Sequence, residues 1–335
     1  MPGNCYIGSV KEMACAFENY KDYISGEVPE IFYIPEKLDK EPVTEIKEKA
    51  FYGCRGLTRV VVPKTVERIG SYAFAECREL KHFACPKAAV SIGDYAFYNC
   101  MGLKEISIGQ ELKNIGYGAF KNCLELSKIT MDIGPDKPNA LNSILQDEFQ
   151  EVDVTVHYLD SEGNCASEAR LVFTDYQYEY VPEIEARQFN WETYGSGDSY
   201  RISIRDKDID YGKYDSVFPV AMVEDNEETL FKIAAGRLCW PYRLSDESRE
   251  RYESYIKAHM PKILERTIGA ADKDERAERL FPYLLEHSLL TDKDLDLALD
   301  LAQRCQKSGL TALLMDSLGK RKPSGRQALH SRFSL

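Results

Sequence analysis

Ala50-Phe51-Tyr52-Gly53-Cys54-Arg55-Gly56-Leu57 recurs as Ala73-Phe74-Ala75-Glu76-Cys77-Arg78-Glu79-Leu80, Ala96-Phe97-Tyr98-Asn99-Cys100-Met101-Gly102-Leu103 and Ala119-Phe120-Lys121-Asn122-Cys123-Leu124-Glu125-Leu126, always 23 residues apart. No residue is inserted or lost between copies, so each copy is one unit stacked on the last. Such strict repetition builds a solenoid, an architecture that mostly presents surfaces to partners.

The second half of each copy explains how the unit folds. Val60/Val62, Phe83/Cys85, Ile106/Ile108 and Ile129/Met131 alternate with period two, as in a strand with one buried face. Pro63, Pro86 and Gly109 end these strands at one phase. Val66-x-x-Ile69-Gly70, Ala89-x-x-Ile92-Gly93 and Leu112-x-x-Ile115-Gly116 come next, with apolar residues aimed into the coil and a Gly at the corner. The stretch from that Gly to the Cys fits a short strand or turn and one turn of helix or 3₁₀.

This Ile-Gly-x-x-Ala-Phe-x-x-Cys-x-x-Leu-x-x-Ile-x-Ile-Pro pattern resembles the BspA-type leucine-rich repeat over about residues 24–132. The resemblance implies a right-handed, gently curved solenoid whose longer strands form a parallel sheet, and it implies no activity. Ile31-Phe32-Tyr33-Ile34-Pro35 looks like the usual first coil, with a loop from Glu36 to Glu41 stretching its spacing to Val43. The solenoid is expected over 31–135. Residues 1–30, with Val10, Met13, Phe17 and Tyr20 near helical spacing, are expected to cap its start, since each coil buries its face only against a neighbour.

The ladder formed by Phe51, Phe74, Phe97 and Phe120 beside Cys54, Cys77, Cys100 and Cys123 is read as structural. Stacked coils bring equivalent Cα atoms about 4.8 Å apart. Parallel side chains hold their Cβ atoms just beyond the roughly 3.5–4.5 Å that a relaxed disulfide wants. Each thiol then fills a small buried slot and offers a weak S–H donor; metal or redox chemistry is the rival reading. The outward strand positions are the candidate contact surface: Arg59, His82, Glu105 and Lys128 in one column, Val61, Ala84, Ser107 and Thr130 in the other. Their bland reading is a solvated face. Against it, a row of side chains on rigid backbone suits recognition of a protein or peptide. His82 has no Asp or Ser in phase, so catalysis is not expected there.

Composition sets the frame. A chain of 335 residues exceeds what one core usually organises, so two or three domains are expected. A net charge of -12 argues against broad nucleic-acid binding. The exception is the basic tail, 320–335, where Lys320, Arg321, Lys322, Arg326 and Arg332 crowd together and disorder is expected. The start of the chain has no basic n-region with an apolar core after it, and no apolar run approaches the roughly 20 residues of a membrane helix. The ten cysteines include no Cys-x-x-Cys pair and there are five histidines, so neither a metal nor a cofactor is expected. A ladder of thiols favours a reducing, cytoplasmic setting.

Beyond the repeats, an α+β multidomain chain is expected. Residues 136–225 read as a small antiparallel β domain: Val152-x-Val154-x-Val156-x-Tyr158, Leu171-Val172-Phe173 running into Tyr176, Tyr178 and Tyr180, Tyr200–Arg205, and Val217–Val223, where Pro219 suggests an edge strand. Asp206-Lys207-Asp208-Ile209-Asp210 invites a calcium reading, but Tyr211 and Val217 stand where a calcium loop needs Gly and Glu. Residues 226–319 read as α-helical, with helix starts at Ser245 and Thr291 and an end at Gly319. Their paired helices loosely resemble ankyrin-like hairpins without the Thr-Pro-Leu-His signature. No phosphate loop, metalloprotease or serine-hydrolase motif occurs. The leading reading is therefore a non-catalytic interaction scaffold. The alternatives are an enzyme in residues 150–320 with the repeats selecting its substrate, and an adhesin, against which the missing export signal weighs.

Overall fold

A computed structural model describes residues 30–321, apart from 39, 136, 138, 139, 147, 183–188, 206, 207 and 270–274. Except for Glu30, the cap expected in 1–30 lies outside the described residues, as do residues 322–335 of the tail and Asp206 and Lys207 of the acidic run. In chain order the strands are β1 (Ile31–Tyr33), β2 (Lys37–Leu38), β3 (Glu41–Pro42), β4 (Glu45–Ile46), β5 (Arg59–Val61), β6 (Arg68–Ile69), β7 (His82–Ala84) and β8 (Ser91–Ile92). They continue with β9 (Glu105–Ile108), β10 (Asn114–Ile115), β11 (Lys128–Ile133), β12 (Val152–Leu159), β13 (Cys165–Phe173), β14 (Gln177–Pro182) and β15 (Phe189–Tyr194). The chain divides between Thr229 and Leu230 into two compact units.

In the first unit, each coil gives one longer strand to a seven-stranded sheet ordered β1-β5-β7-β9-β11-β12-β13 and a two-residue strand to a second sheet ordered β10-β8-β6-β4. All neighbours are parallel except β12 and β13. A third ladder crosses the turns, where Phe51, Phe74 and Phe97 N–H groups donate to the carbonyls of Ala73, Ala96 and Ala119 at 2.7–2.8 Å. The inward side chains merge into one column. Phe51, Phe74, Phe97 and Phe120 stack with centroids 4.9, 5.2 and 5.2 Å apart and planes within 10°, and all four are buried with the Ala before them.

Two features shape the corners. At the Ile-Gly step a Cβ on Gly70, Gly93 or Gly116 would lie 2.3–2.5 Å from backbone nitrogen of the preceding coil. That Gly is therefore required by the close approach of neighbouring coils. Left-handed backbone falls four residues apart in each coil instead, at Lys49 and Gly53, Tyr72 and Glu76, Tyr95 and Asn99, and Gly118 and Asn122.

Within 136–225 the expected antiparallel pairing does form, β12 with β13 and β14 with β15, but β12 also joins the solenoid sheet. β12 pairs in parallel with β11, Ile129 opposite Val154 and Met131 opposite Val156. Val152, Val154 and Val156 thereby extend the buried column by one further coil. β13 returns antiparallel along β12 and ends the sheet, and β14 and β15 pair as a hairpin of their own. Period two reveals a half-buried strand but not which sheet receives it.

Two expected strands are helices. Among helices α1 (Leu141–Leu145), α2 (Gly197–Arg201), α3 (Tyr211–Glu224) and α4 (Glu227–Cys239), α2 takes the start of Tyr200–Arg205. Adjacent Tyr200 and Arg201 are both buried, which a strand with one buried face does not allow. The Arg201 guanidinium donates to the Thr174, Gly197 and Gln150 carbonyls at 2.7–3.0 Å and stacks 4.7 Å from the Tyr176 ring centre. Val217–Val223 belongs to α3 despite Pro219, because Tyr211, Tyr214, Val217, Phe218 and Ala221 share a buried helical face and Asp210 caps the start by accepting from the Lys213 N–H. α3 also closes the sheet edge: the Tyr214 hydroxyl accepts from the Val172 N–H and donates to the Val172 carbonyl, both at 2.8 Å.

The second unit is helical, with α5 (Asp246–Ala258), α6 (Met260–Gly269), α7 (Glu275–Glu286), α8 (Asp292–Arg304) and α9 (Ser308–Arg321). Ser245 caps α5 by accepting from the Ser248 N–H, and Thr291 and Asp294 form a reciprocal capping box on α8. α9 passes Gly319, the expected end, and runs to Arg321; a lone Gly lowers helix stability without terminating it. The Arg237 side chain, wholly buried, donates to the Tyr242 carbonyl at 3.1 Å, and the Arg279 guanidinium lies 4.7 Å from the Trp240 ring centre.

Candidate functional site

The outer face of the seven-stranded sheet carries its side chains in rows fixed by strand register. Arg59 stands opposite His82, His82 opposite Glu105 and Glu105 opposite Lys128. Ala84 stands opposite Ser107 and Ser107 opposite Thr130, with Val61 at the same phase. The Glu105 carboxylate is shared: His82 Nδ1 lies 3.5 Å from one oxygen and Lys128 Nζ 3.4 Å from the other. His82 thus has an acid in phase. Both links are solvent-exposed, so they order side chains more than they stabilise the fold.

The rows run further than the repeat phrase. Ile31 and Tyr33 precede Arg59 and Val61, and Asp153 and Thr155 come after Lys128 and Thr130. A third row starts where β11 is longest, with His157 Nδ1 3.1 Å from an Asp132 carboxylate oxygen. The alternation of β12 carried the signal for Asp153, Thr155 and His157. Its assignment to another domain hid them.

The opposite, inward side is chemically quiet. The thiols of Cys77, Cys100 and Cys123 donate to the carbonyls of Phe51, Phe74 and Phe97 of the coil before, at 3.0, 3.1 and 3.3 Å. Burial pushes the Cys77 and Cys100 thiols well above the ordinary range and raises Cys85 to about 12, so they hold their protons at neutral pH and are poor nucleophiles. Among the described residues no group of His, Cys, Asp and Glu side chains is placed to hold a metal ion.

The turns between the sheets carry two further rows. Asn122 donates to Asn99 at 2.8 Å and Asn99 to Glu76 at 2.5 Å, with the Arg78 guanidinium on the same carboxylate. The Asn99 hydrogen bond, seconded by Arg78, holds the Glu76 carboxyl below the usual glutamate range. Beside them Tyr95 stacks on Tyr72 at 5.2 Å and meets Tyr98 and Tyr117 edge-on. Tyr72, Tyr95 and Tyr117 lie outside the Ala-Phe…Cys phrase, and the recurrence of Tyr at 72 and 95 was the available sign.

Residues 41–167 match the family model of the BspA type leucine rich repeat region, in six copies. No curated protein matches the chain. Among solved structures the chain is similar to a leucine-rich repeat protein from Bacteroides ovatus ATCC 8483, with 29% identity over 31% of this chain and 31% of that one and a TM-score of 0.27. It is also similar to the leucine rich repeat protein of T. pallidum, with 24% identity over 40% and 72% of the two chains and a TM-score of 0.29. A third is a leucine-rich repeat protein from Bacteroides capillosus ATCC 29799, with 31% identity over 31% and 77% and a TM-score of 0.29. The chain therefore spans less than a third of the first of these relatives. No helix among the described residues is long and apolar enough to cross a membrane. With its 23-residue phrase, its stacked parallel strands and its six matched copies, the chain belongs to the BspA-type leucine-rich repeat proteins.

Proposed function

We propose that this chain is a non-catalytic protein–protein interaction scaffold that docks a protein or peptide on the outer face of its seven-stranded sheet. The leucine-rich repeat fold typically serves protein interaction. The observation that carries the reading is the register-locked pair of rows, Arg59, His82, Glu105 and Lys128 beside Val61, Ala84, Ser107 and Thr130. Eight side chains of mixed charge and size stand on backbone held by hydrogen bonds on both sides, so little ordering is left to be done on binding. The setting in this reading is cytoplasmic, where the thiol ladder stays reduced. Co-purification from the native cell with the intact chain, and with Arg59, His82, Glu105 and Lys128 all changed to Ala, tests it. Partners retained by the intact chain and lost by the variant are expected; equal recovery of the same partners would remove the sheet face from the function.

A further inference from the structure

The outer face is not uniform in charge. From β9 onward its charges are paired: Glu105 with Lys128, Asp132 with His157, Glu168 with Arg170 at 2.7 Å, and Lys104 beside the sheet with Glu125 at 3.3 Å. At the β1–β5–β7 end four cations are left over. Arg59 and Lys81 stand where β5 and β7 begin, Lys64 and Lys87 just past where they end, and all four are exposed and make no ion pair among the described residues. Between these two ends lies an uncovered floor of Tyr33, Val61 and Ala84, with Tyr33 69% exposed and Ile31 beside it 43% exposed. Glu30 before β1 and Glu36 after it are exposed and also make no ion pair among the described residues, so four cations set against two acids leave a local positive excess, the reverse of the average field of a chain of net charge -12.

We propose that this end of the sheet takes an extended peptide segment of a partner that is acidic at both ends and apolar between them. Its carboxylates meet Arg59 and Lys81 on one side and Lys64 and Lys87 on the other, and its apolar side chains cover Tyr33, Val61 and Ala84. Five steps of chain lead from Arg59 past the end of β5 to Lys64 in the following turn, a span of at most about 17 Å at about 3.3 Å per residue, which a five- or six-residue extended stretch covers. The inference rests on the outer face being the docking surface and names the chemistry of what docks there.

Fluorescence anisotropy on the full chain tests it with three labelled nine-residue probes. The first has the order Glu-Glu-Leu-Ser-Phe-Ser-Leu-Glu-Glu; the others replace every Glu by Gln or by Lys. The Glu probe is expected to bind about tenfold or more tighter than the Lys probe and to weaken with added salt. Arg59→Glu with Lys81→Glu should lower its affinity about tenfold and favour the Lys probe, and Lys64→Gln with Lys87→Gln should lower it several-fold. An unchanged far-UV spectrum shows that each variant is folded. Equal binding of the Glu and Lys probes, no binding of the Glu probe, or indifference to both variants overturns the inference. So does binding only after Glu12, Glu18, Asp22 and Glu27 are neutralised, which assigns the surface to the chain's own first residues. A Glu probe weakened by Glu105→Ala and Lys128→Ala but not by Arg59→Glu and Lys81→Glu would overturn this inference and leave outer-face docking standing. The four-Ala co-purification judges that docking separately.

Discussion

Replacing Phe97 and Phe120 in turn by Ala separates what ring stacking contributes from what burial contributes. Both side chains are at most 1% exposed and occupy the same phase of successive coils, so the transfer and cavity costs of the two deletions are alike, about 3–5 kcal/mol each. Their ring neighbours differ. Phe97 is stacked between Phe74 and Phe120 and lies 4.6 Å from Phe83, whereas among the rings of the described residues Phe120 meets Phe97 alone. Two further aromatic pairs at about 0.5–1.5 kcal/mol each make Phe97→Ala costlier than Phe120→Ala by about 1–3 kcal/mol. At a slope of about 2 kcal/mol per molar urea, that is a gap of about 0.5–1.5 M between the two midpoints. Hydrogen exchange of peptides spanning residues 90–130, tracked through a urea series, reads the solenoid apart from the helical unit. A Phe120→Ala loss equal to or larger than that of Phe97→Ala would refute the idea that the rings act as one column.

The remaining expectations concern the edge, the thiols, the turns and the corners. Tyr214→Phe strips the paired hydrogen bonds from Val172 and leaves its buried N–H and carbonyl unmatched, a loss of about 1–3 kcal/mol; exchange at the Val172 amide as slow as in the unaltered chain would count against this. Brief alkylation of the native chain and then peptide mapping should label exposed Cys165 and Cys305 and spare Cys77 and Cys100, whose burial keeps them protonated. Because Asn99 and then Arg78 lower the folded pKa of Glu76, its contribution is fully present above the ordinary value of 4.5 and is lost as pH falls through the folded value. The melting-temperature gap between the unaltered chain and Glu76→Gln should therefore narrow between pH 6 and pH 3, and a constant gap would refute the assignment. Gly93→Ala places a Cβ 2.5 Å from the Ser71 nitrogen and should cost about 1–3 kcal/mol in urea unfolding, whereas Gly309→Ala, with open space around it, should be neutral or stabilising.

The solenoid was legible because an exact 23-residue interval fixes phase, and phase fixes which residues point inward. Leu57, Leu80, Leu103 and Leu126 are all buried, as their place in the phrase implies. The chain beyond residue 133 was less legible for two separate physical reasons. Val152–Tyr158 has the period of a strand, yet period does not identify a neighbour, and β12 joined the solenoid sheet because its Val side chains continue the Ile129 and Met131 column. Val217–Val223 is apolar and contains Pro219, both of which favour a strand over a short window. The helical pattern appears only when the window opens at Tyr211, where Asp210 supplies the cap and Tyr211, Tyr214, Phe218 and Ala221 the buried face. Tertiary burial then outweighs the missing Pro219 hydrogen bond.

The candidate site was legible in place but not in charge state, and the asymmetry has a cause. Repetition constrains the inward positions, since each must match the coil above and below. The outward positions face solvent and carry no such constraint, and at one phase they read Arg59, His82, Glu105 and Lys128, four different chemistries in four copies. What recurs therefore builds the scaffold, and what fails to recur is where the surface can be particular to a partner. Which of those charges remain available is decided across strands: Glu105 is claimed from both sides by His82 and Lys128, so Arg59, two coils earlier, makes no ion pair among the described residues. That imbalance arises from register and distance, which only the folded chain supplies, and it gives the outer face a direction, with the unpaired end at β1, β5 and β7.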